Sequence, residues 1–131
     1  MTVGLLDTSV LIDLDQPVVA AGLPDTAAIS SISLAELAAG PHLTQDPLER
    51  ARRQARLQQI ESLFDSLDFD AASARSFGQL VAAVAAAGRS HRSRVADLLI
   101  AATAHANNLS LYTRNPTDFV GLEKVVTIIP V

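Results

Sequence analysis

Short apolar segments alternate with longer amphipathic stretches along the whole chain, and this alternation limits the choice of fold more than any other feature. The strand candidates are Val3–Leu6, Ala27–Ile32, Leu109–Thr113 and Val125–Ile129. Parallel neighbours in a sheet are usually joined by crossover helices, so strands that alternate with helices are typical of a parallel sheet covered on both faces. We therefore predict an α/β fold, with a single domain over residues 1–131 and a parallel central sheet flanked by helices on both faces.

Capping residues and helix breakers predict where the helices begin and end. A short helix is expected after Asp7, and Ser33 is expected to cap a helix that carries Glu36 in its first turn. The longest helix is expected to begin at Asp46-Pro47 and to reach about Leu67. The last helices are expected over residues 70–87 and 95–107, joined by the connection 89–94.

The composition excludes several classes of protein. The 131 residues include no cysteine, which rules out disulfide frameworks, thiolate nucleophiles and cysteine-ligated zinc or iron–sulfur sites. No apolar run approaches the roughly 18 residues that a membrane span requires. The first residues show no secretory signal. We expect a cytoplasmic protein with no membrane association.

The charged residues are unevenly distributed. Fourteen acidic residues against ten Lys and Arg give a net charge of −4, unlike a protein coated with phosphate-binding cations. The arginines cluster at 50–56 and 89–94. The first cluster is compatible either with a solvent-exposed helix face or with contact to an anionic ligand or a partner. The second directly precedes Asp97, so Arg89, Arg92 and Arg94 are the stronger candidates for binding phosphate groups.

Four polar residues are predicted to meet at one edge of the sheet. Asp7 follows the first strand, and Glu36 lies in the first turn of the helix after the second strand. Asp97 lies in the first turn of a later helix, and Asn115 lies just past another strand. Helix N-termini and strand C-termini share this edge in a parallel sheet, which is where ligands bind. Crowded carboxylates repel each other unless a cation intervenes, and Mg²⁺ or Mn²⁺ prefers such oxygen ligands. The pattern therefore favours metal-assisted hydrolysis of a phosphodiester.

Each acid also has an ordinary structural interpretation. Asp7 could simply cap a helix, and Glu36 and Asp97 could complement helix dipoles. Those interpretations do not predict three acids on one edge, beside apolar stretches such as Leu5-Leu6 and Leu98-Leu99-Ile100.

Four strings of residues carry a resemblance to a known family. They are Leu6-Asp7-Thr8-Ser9, Ser33-Leu34-Ala35-Glu36-Leu37, the segment 97–104 and the segment 112–119. Each string alone is weak, but their order and spacing extend over the whole chain. In that combination the chain resembles PIN-domain ribonucleases, and among them the VapC-type toxins of bacterial toxin–antitoxin pairs.

The resemblance implies a set of site residues. Asp7, Glu36 and Asp97 fall on the family's metal-binding acids. Ser9 and Thr113 fall on hydroxyl positions that support these acids through hydrogen bonds or metal-bound water. The implied cofactor is Mg²⁺, for which Mn²⁺ can substitute.

The chain departs from the family at the fourth position of the site. Many PIN domains have Asp where this sequence has Asn115, and a neutral amide is a weaker ligand for Mg²⁺. Asn115 is kept as a contributor to the catalytic site. Asp118, three residues later, is either a substitute metal ligand or a residue that structures the loop.

The resemblance also implies a function and partners. It implies a Mg²⁺-dependent endoribonuclease toxin that cleaves structured cellular RNA, either transfer or ribosomal. The phosphates that Arg89, Arg92 and Arg94 are expected to bind are then those of the RNA backbone. It further implies homodimers and a hetero-oligomer with a cognate VapB-like antitoxin that neutralises the toxin. One alternative is a catalytically inactive PIN-like module that binds RNA or a partner. A receiver-type signalling domain fits less well, because Asp7 has no acidic neighbour and Lys124 opens the last strand.

Overall fold

Five parallel strands form one central sheet in a computed structural model that describes residues 1–131. The strands are β1 (Val3–Leu6), β2 (Thr26–Ser30), β3 (Asp65–Leu67), β4 (Ser110–Thr113) and β5 (Ile128–Pro130). Their order across the sheet is β3-β2-β1-β4-β5, and every neighbouring pair is parallel. The predicted α/β fold is confirmed.

Six α-helices connect and cover the strands. They are α1 (Thr8–Ile12), α2 (Pro17–Ala21), α3 (Ser31–Ala39), α4 (Pro47–Leu63), α5 (Ala71–Ala86) and α6 (Val95–Ala106). Short 3₁₀ turns lie at Gly40–Leu43, Arg92–Arg94 and Pro116–Phe119. None of the helices is both long and apolar enough to cross a membrane.

The two faces of the sheet bury separate apolar cores. Successive residues of a strand point to opposite faces. Leu5 accordingly packs with Leu80 of α5 and Leu98 of α6, whereas Leu6 packs with Val10 of α1 and Ile60 of α4. All six side chains are buried, with at most 2% of their surface exposed. The prediction of helices on both faces is therefore confirmed.

Gly4 allows the central strands to pack closely. A Cβ atom at this position would collide with the ring of Tyr112 in β4. The next residues along β1, Leu5 and Leu6, pair with Leu111 and Tyr112. A side chain at position 4 would thus disturb the register that carries Asp7 to the edge of the sheet.

Three predicted boundaries are wrong. The long helix ends at Leu63 rather than near Leu67, because residues 65–67 pair with β2 as an edge strand. The second strand stops at Ser30 rather than Ile32, and Ser30 instead of Ser33 caps α3 by accepting a hydrogen bond from the Ser33 N–H. The last strand covers residues 128–130 rather than 125–129, where it pairs with β4.

Candidate active site

Asp7 lies immediately after β1 with its side chain turned inward. Its backbone N–H donates to the Tyr112 carbonyl at 2.8 Å, which continues the pairing of β1 with β4. The side chain is buried, and its Oδ2 accepts hydrogen bonds from Ser9 Oγ at 2.6 Å and Thr113 Oγ1 at 2.9 Å. Although Asp7 occupies the N-cap position of α1, its side chain makes no capping hydrogen bond. Its carboxylate is thus oriented by two hydroxyls from different elements.

Glu36 lies in the second turn of α3, so the prediction that it lies in the first turn is wrong. The cause is the earlier helix start at Ser31. The Glu36 side chain is exposed, and its Oε1 accepts a hydrogen bond from Thr8 Oγ1 at 2.8 Å. Thr8 Oγ1 also lies 2.8 Å from Ser33 Oγ. Thr8, the residue that follows Asp7, thus connects the Glu36 carboxylate with the Ser33 hydroxyl.

Sequence reasoning missed the roles of Thr8 and Ser33. Thr8 directly follows Asp7 in the sequence, and this position was the only local indication that Thr8 belongs to the site. Nothing in the sequence pairs it with a carboxylate 28 residues away. The pairing follows from the parallel packing of β1 and β2, which brings α1 and α3 together.

Asp97 lies in the first turn of α6, as predicted, with 28% of its side chain exposed. Burial, followed by the negative charges of Asp7 and Asp118, raises the pKa of Asp97 to about 6. Glu36 adds to this effect, and the Arg94 guanidinium opposes it. Carboxylates that are remote in sequence therefore lie close enough to repel one another at this edge.

Arg94 lies between two of the acids. Its Nη1 is 2.7 Å from Asp118 Oδ1 and 3.9 Å from Asp97 Oδ2. Arg94 thus acts as a local counter-ion. Arg89 and Arg92, the other arginines of this connection, are exposed, and their side chains make no ion pair.

Asn115 lies on the exposed loop after β4. Its backbone N–H donates to Thr113 Oγ1 at 3.0 Å, and its side chain makes no hydrogen bond. It lines a recess shared with Ser9, Asp13 and Arg114. The fourth position of the site thus carries a free amide, whereas the Asp118 carboxylate is already paired with Arg94.

The chemistry of these side chains suits a divalent cation. As they are placed, the His, Asp and Glu side chains form no group of three close enough to hold one ion. The raised pKa of Asp97 and the position of Arg94 nevertheless mark a region of excess negative charge. A hard cation relieves such repulsion, and carboxylate oxygens are its preferred ligands. Asp7, Asp97 and Glu36 are the side chains that would hold it.

Comparison with known proteins adds an independent observation. The model of the PIN domain family matches residues 4–120, which is most of the chain. The chain belongs to the PIN-domain family. This assignment agrees with the resemblance drawn from the four sequence strings.

The relatives of this PIN-domain protein are VapC-type proteins. Ribonuclease VapC5 of Mycobacterium tuberculosis is 33% identical over 131 residues, with 95% of this chain and 91% of the relative covered. Ribonuclease VapC8 of the same species is 37% identical over 102 residues, with 78% and 90% covered.

Solved structures show the same fold. A chain in the crystal structure of VapBC-5 from Mycobacterium tuberculosis, a member of the VapBC family of toxin-antitoxin systems, matches with a TM-score of 0.87 and 34% identity, and both chains are covered completely. A chain of FitAcB from Neisseria gonorrhoeae matches with a TM-score of 0.79 and 29% identity, with 98% and 96% covered.

Proposed function

We propose that this PIN-domain protein is a Mg²⁺-dependent endoribonuclease toxin that cleaves structured cellular RNA, transfer or ribosomal. One observation carries the proposal: Asp7, Glu36 and Asp97 come from three distant parts of the chain, yet their charges interact at one edge of the sheet. The names of the relatives, which are ribonucleases, support it. Mn²⁺ is expected to substitute for Mg²⁺.

Each side chain has a distinct role in this proposal. Asp7, fixed by Ser9 and Thr113, provides an oriented oxygen. Asp97 provides a second carboxylate, on which the charge of Asp7 acts. Thr8 steadies Glu36 at the exposed side. When bound, the divalent ion supplies Lewis-acid chemistry at the scissile phosphate and lowers the pKa of the attacking water.

The fourth position and the arginines have supporting roles. Asn115 offers an amide oxygen beside Ser9. Asp118 pairs with Arg94 through Oδ1 and would offer its second oxygen, Oδ2, to the ion. Arg89 and Arg92, which are unpaired, are positioned to hold the RNA backbone, because an acidic site alone repels phosphate.

We further propose that a VapB-like antitoxin neutralises this protein in a hetero-oligomer built on a toxin homodimer. The structural matches come from toxin–antitoxin assemblies, which supports such a partner. The Arg94–Asp118 pair shows that the acidic edge accommodates a guanidinium at 2.7 Å. An arginine of the antitoxin could form similar charge-assisted hydrogen bonds with the acids.

The test uses the toxin purified free of antitoxin and incubated with transfer and ribosomal RNA. We expect cleavage with Mg²⁺ or Mn²⁺, no cleavage in EDTA, and a loss of at least about 100-fold for Asp7→Asn, because the buried carboxylate is replaced by a neutral amide. Asp68→Asn is the matched control, since Asp68 is exposed and makes no ion pair.

Two results would contradict this function. Cleavage that persists in EDTA would exclude the metal mechanism. Binding of RNA by the wild-type protein without any cleavage would favour the inactive PIN-like module instead.

A further inference from the structure

A cavity of about 220 Å³ lies beside the acidic edge. It is bounded by the C-terminal end of α5, the connection 89–94, the start of α6 and the segment 117–122. Its apolar wall is formed by Val84, Leu98 and Leu122, which are at most 6% exposed. Its polar rim includes Arg89 and Ser93. The cavity therefore combines a buried apolar surface with a cation and a hydroxyl.

The cavity shares a wall with the candidate active site. Arg94 and Asp118 line it, and Arg94 Nη1 also lies 3.9 Å from Asp97 Oδ2. The same Nη1 lies 2.7 Å from Asp118 Oδ1, so one guanidinium contacts a carboxylate of the cavity and a carboxylate of the site. An RNA strand that passes over Asp97 would thus bring the adjacent nucleotide to the cavity.

One cation of the cavity lining is free to bind an anion. Arg94 is paired with Asp118 at 2.7 Å and also lies 3.9 Å from Asp97. Arg89 lines the cavity and makes no ion pair. The hydroxyls of Ser93 and Thr117 make no hydrogen bond within the protein and remain free to bind a ligand.

Arg89 is held in place at the rim by the end of α5. Gly88 has a φ of +76°, and the Arg89 N–H donates to the Val84 carbonyl at 3.0 Å. This is the hydrogen bond of a Schellman motif, in which a glycine with positive φ closes the helix. The backbone of Arg89 is thereby hydrogen-bonded to Val84, whose side chain forms part of the apolar wall.

From these observations we infer that the cavity is a subsite for one nucleotide of the RNA, adjacent to the bond that is cleaved. The inference rests on the proposed function. The base would contact Val84, Leu98 and Leu122, and Arg89 would bind the attached phosphate. The cavity is smaller than the roughly 300–1,000 Å³ of pockets for drug-sized ligands, which suits a single base rather than a stack. Flipped-out bases of this kind are how proteins usually read single-stranded RNA loops.

Binding is tested on metal-free protein in EDTA, so that it does not depend on cleavage. Backbone NMR spectra are recorded with AMP, GMP, CMP, UMP and inorganic phosphate at up to 10 mM. We expect at least one nucleotide to shift the resonances of Val84, Arg89 and Leu98, and phosphate alone to leave Val84 and Leu98 unmoved. Equal effects of phosphate and nucleotides, or no shifts at all, would overturn the inference.

Variants then connect the cavity to the reaction. Arg89→Gln removes the cation, Ser93→Glu adds a repelling charge at the rim, and Arg75→Gln is the control, because it removes an exposed arginine of α5 outside the cavity. We expect the first two to weaken nucleotide binding at least threefold and to raise KM for RNA about fivefold, with a smaller change in kcat. An equal effect of Arg75→Gln would overturn the inference. If the wild-type protein cleaves no RNA, the proposed function fails, while the NMR experiment still decides whether the cavity binds nucleotides.

Discussion

Asp97 holds its negative charge at a cost in stability. Its pKa is raised to about 6 by burial and by the carboxylates of Asp7 and Asp118, whereas an unfolded Asp has a pKa of about 3.9. The folded state therefore binds the proton more tightly than the unfolded state does. The stability of the metal-free protein should fall as pH rises between about 4 and 6, and the loss should be complete above pH 6.

We predict that Asp97→Asn stabilises the metal-free protein by about 1 kcal/mol at pH 7.5, after allowing for screening by water. The gain should be much smaller near pH 4, where Asp97 is protonated in the folded state and about half protonated in the unfolded state. Urea unfolding in EDTA at pH 4, 6 and 7.5 measures the difference, with Asp68→Asn as the control. A gain of the same size at pH 4 and pH 7.5 would show that charge repulsion is not its cause.

At the level of helices and strands, the sequence predicted the elements that neighbouring residues determine by themselves. The strand before Asp7 and the helix that carries Asp97 were predicted from contiguous apolar residues and a first-turn acid. Strand β3 was missed because Asp65 and Ser66 have little preference for strands, and only their pairing with β2 makes them one. The Thr8–Glu36 hydrogen bond likewise depends on long-range packing that no local pattern reveals.

The start of α3 provides a test at this scale. Ser30 is buried, and its Oγ accepts a hydrogen bond from the Ser33 N–H at 3.0 Å. We predict that Ser30→Ala lowers the free energy of unfolding by about 1–2 kcal/mol, because a capping acceptor is lost and a buried donor is left unpaired. The control is Ser62→Ala, near the exposed end of α4, which should change it by less than about 0.5 kcal/mol. Equal effects of the two substitutions in urea unfolding would show that Ser30 is not an effective cap.

Across the whole molecule, five of the ten Lys and Arg side chains are held by ion pairs or hydrogen bonds within the protein, and these are Arg50, Arg52, Arg53, Arg94 and Arg114. The cluster 50–56 was open to two interpretations, and the structure shows that several of its side chains serve the fold. Arg50 donates to the carbonyls of Pro41 and Thr44, and Arg53 donates to the Gly40 carbonyl and to Glu49. The unpaired arginines near the acids are Arg89 and Arg92, together with Arg56, which lines a recess with Thr8 and Glu36. We therefore expect RNA affinity to come from a small, local set of contacts.

This distribution predicts a shallow dependence of RNA binding on salt. Each phosphate contact contributes roughly 0.7–0.9 to the slope of log K against log salt, so contacts by Arg89 and Arg92 predict a slope of about −1.5. Fluorescence anisotropy of the Asp7→Asn protein with labelled RNA, from 50 to about 300 mM salt, measures it. Arg92→Gln should reduce the slope by about 0.7. Arg52→Gln should leave it unchanged, because Arg52 faces Glu49 on α4. A slope steeper than about −4 would mean that the binding surface extends well beyond this edge, most simply onto α4.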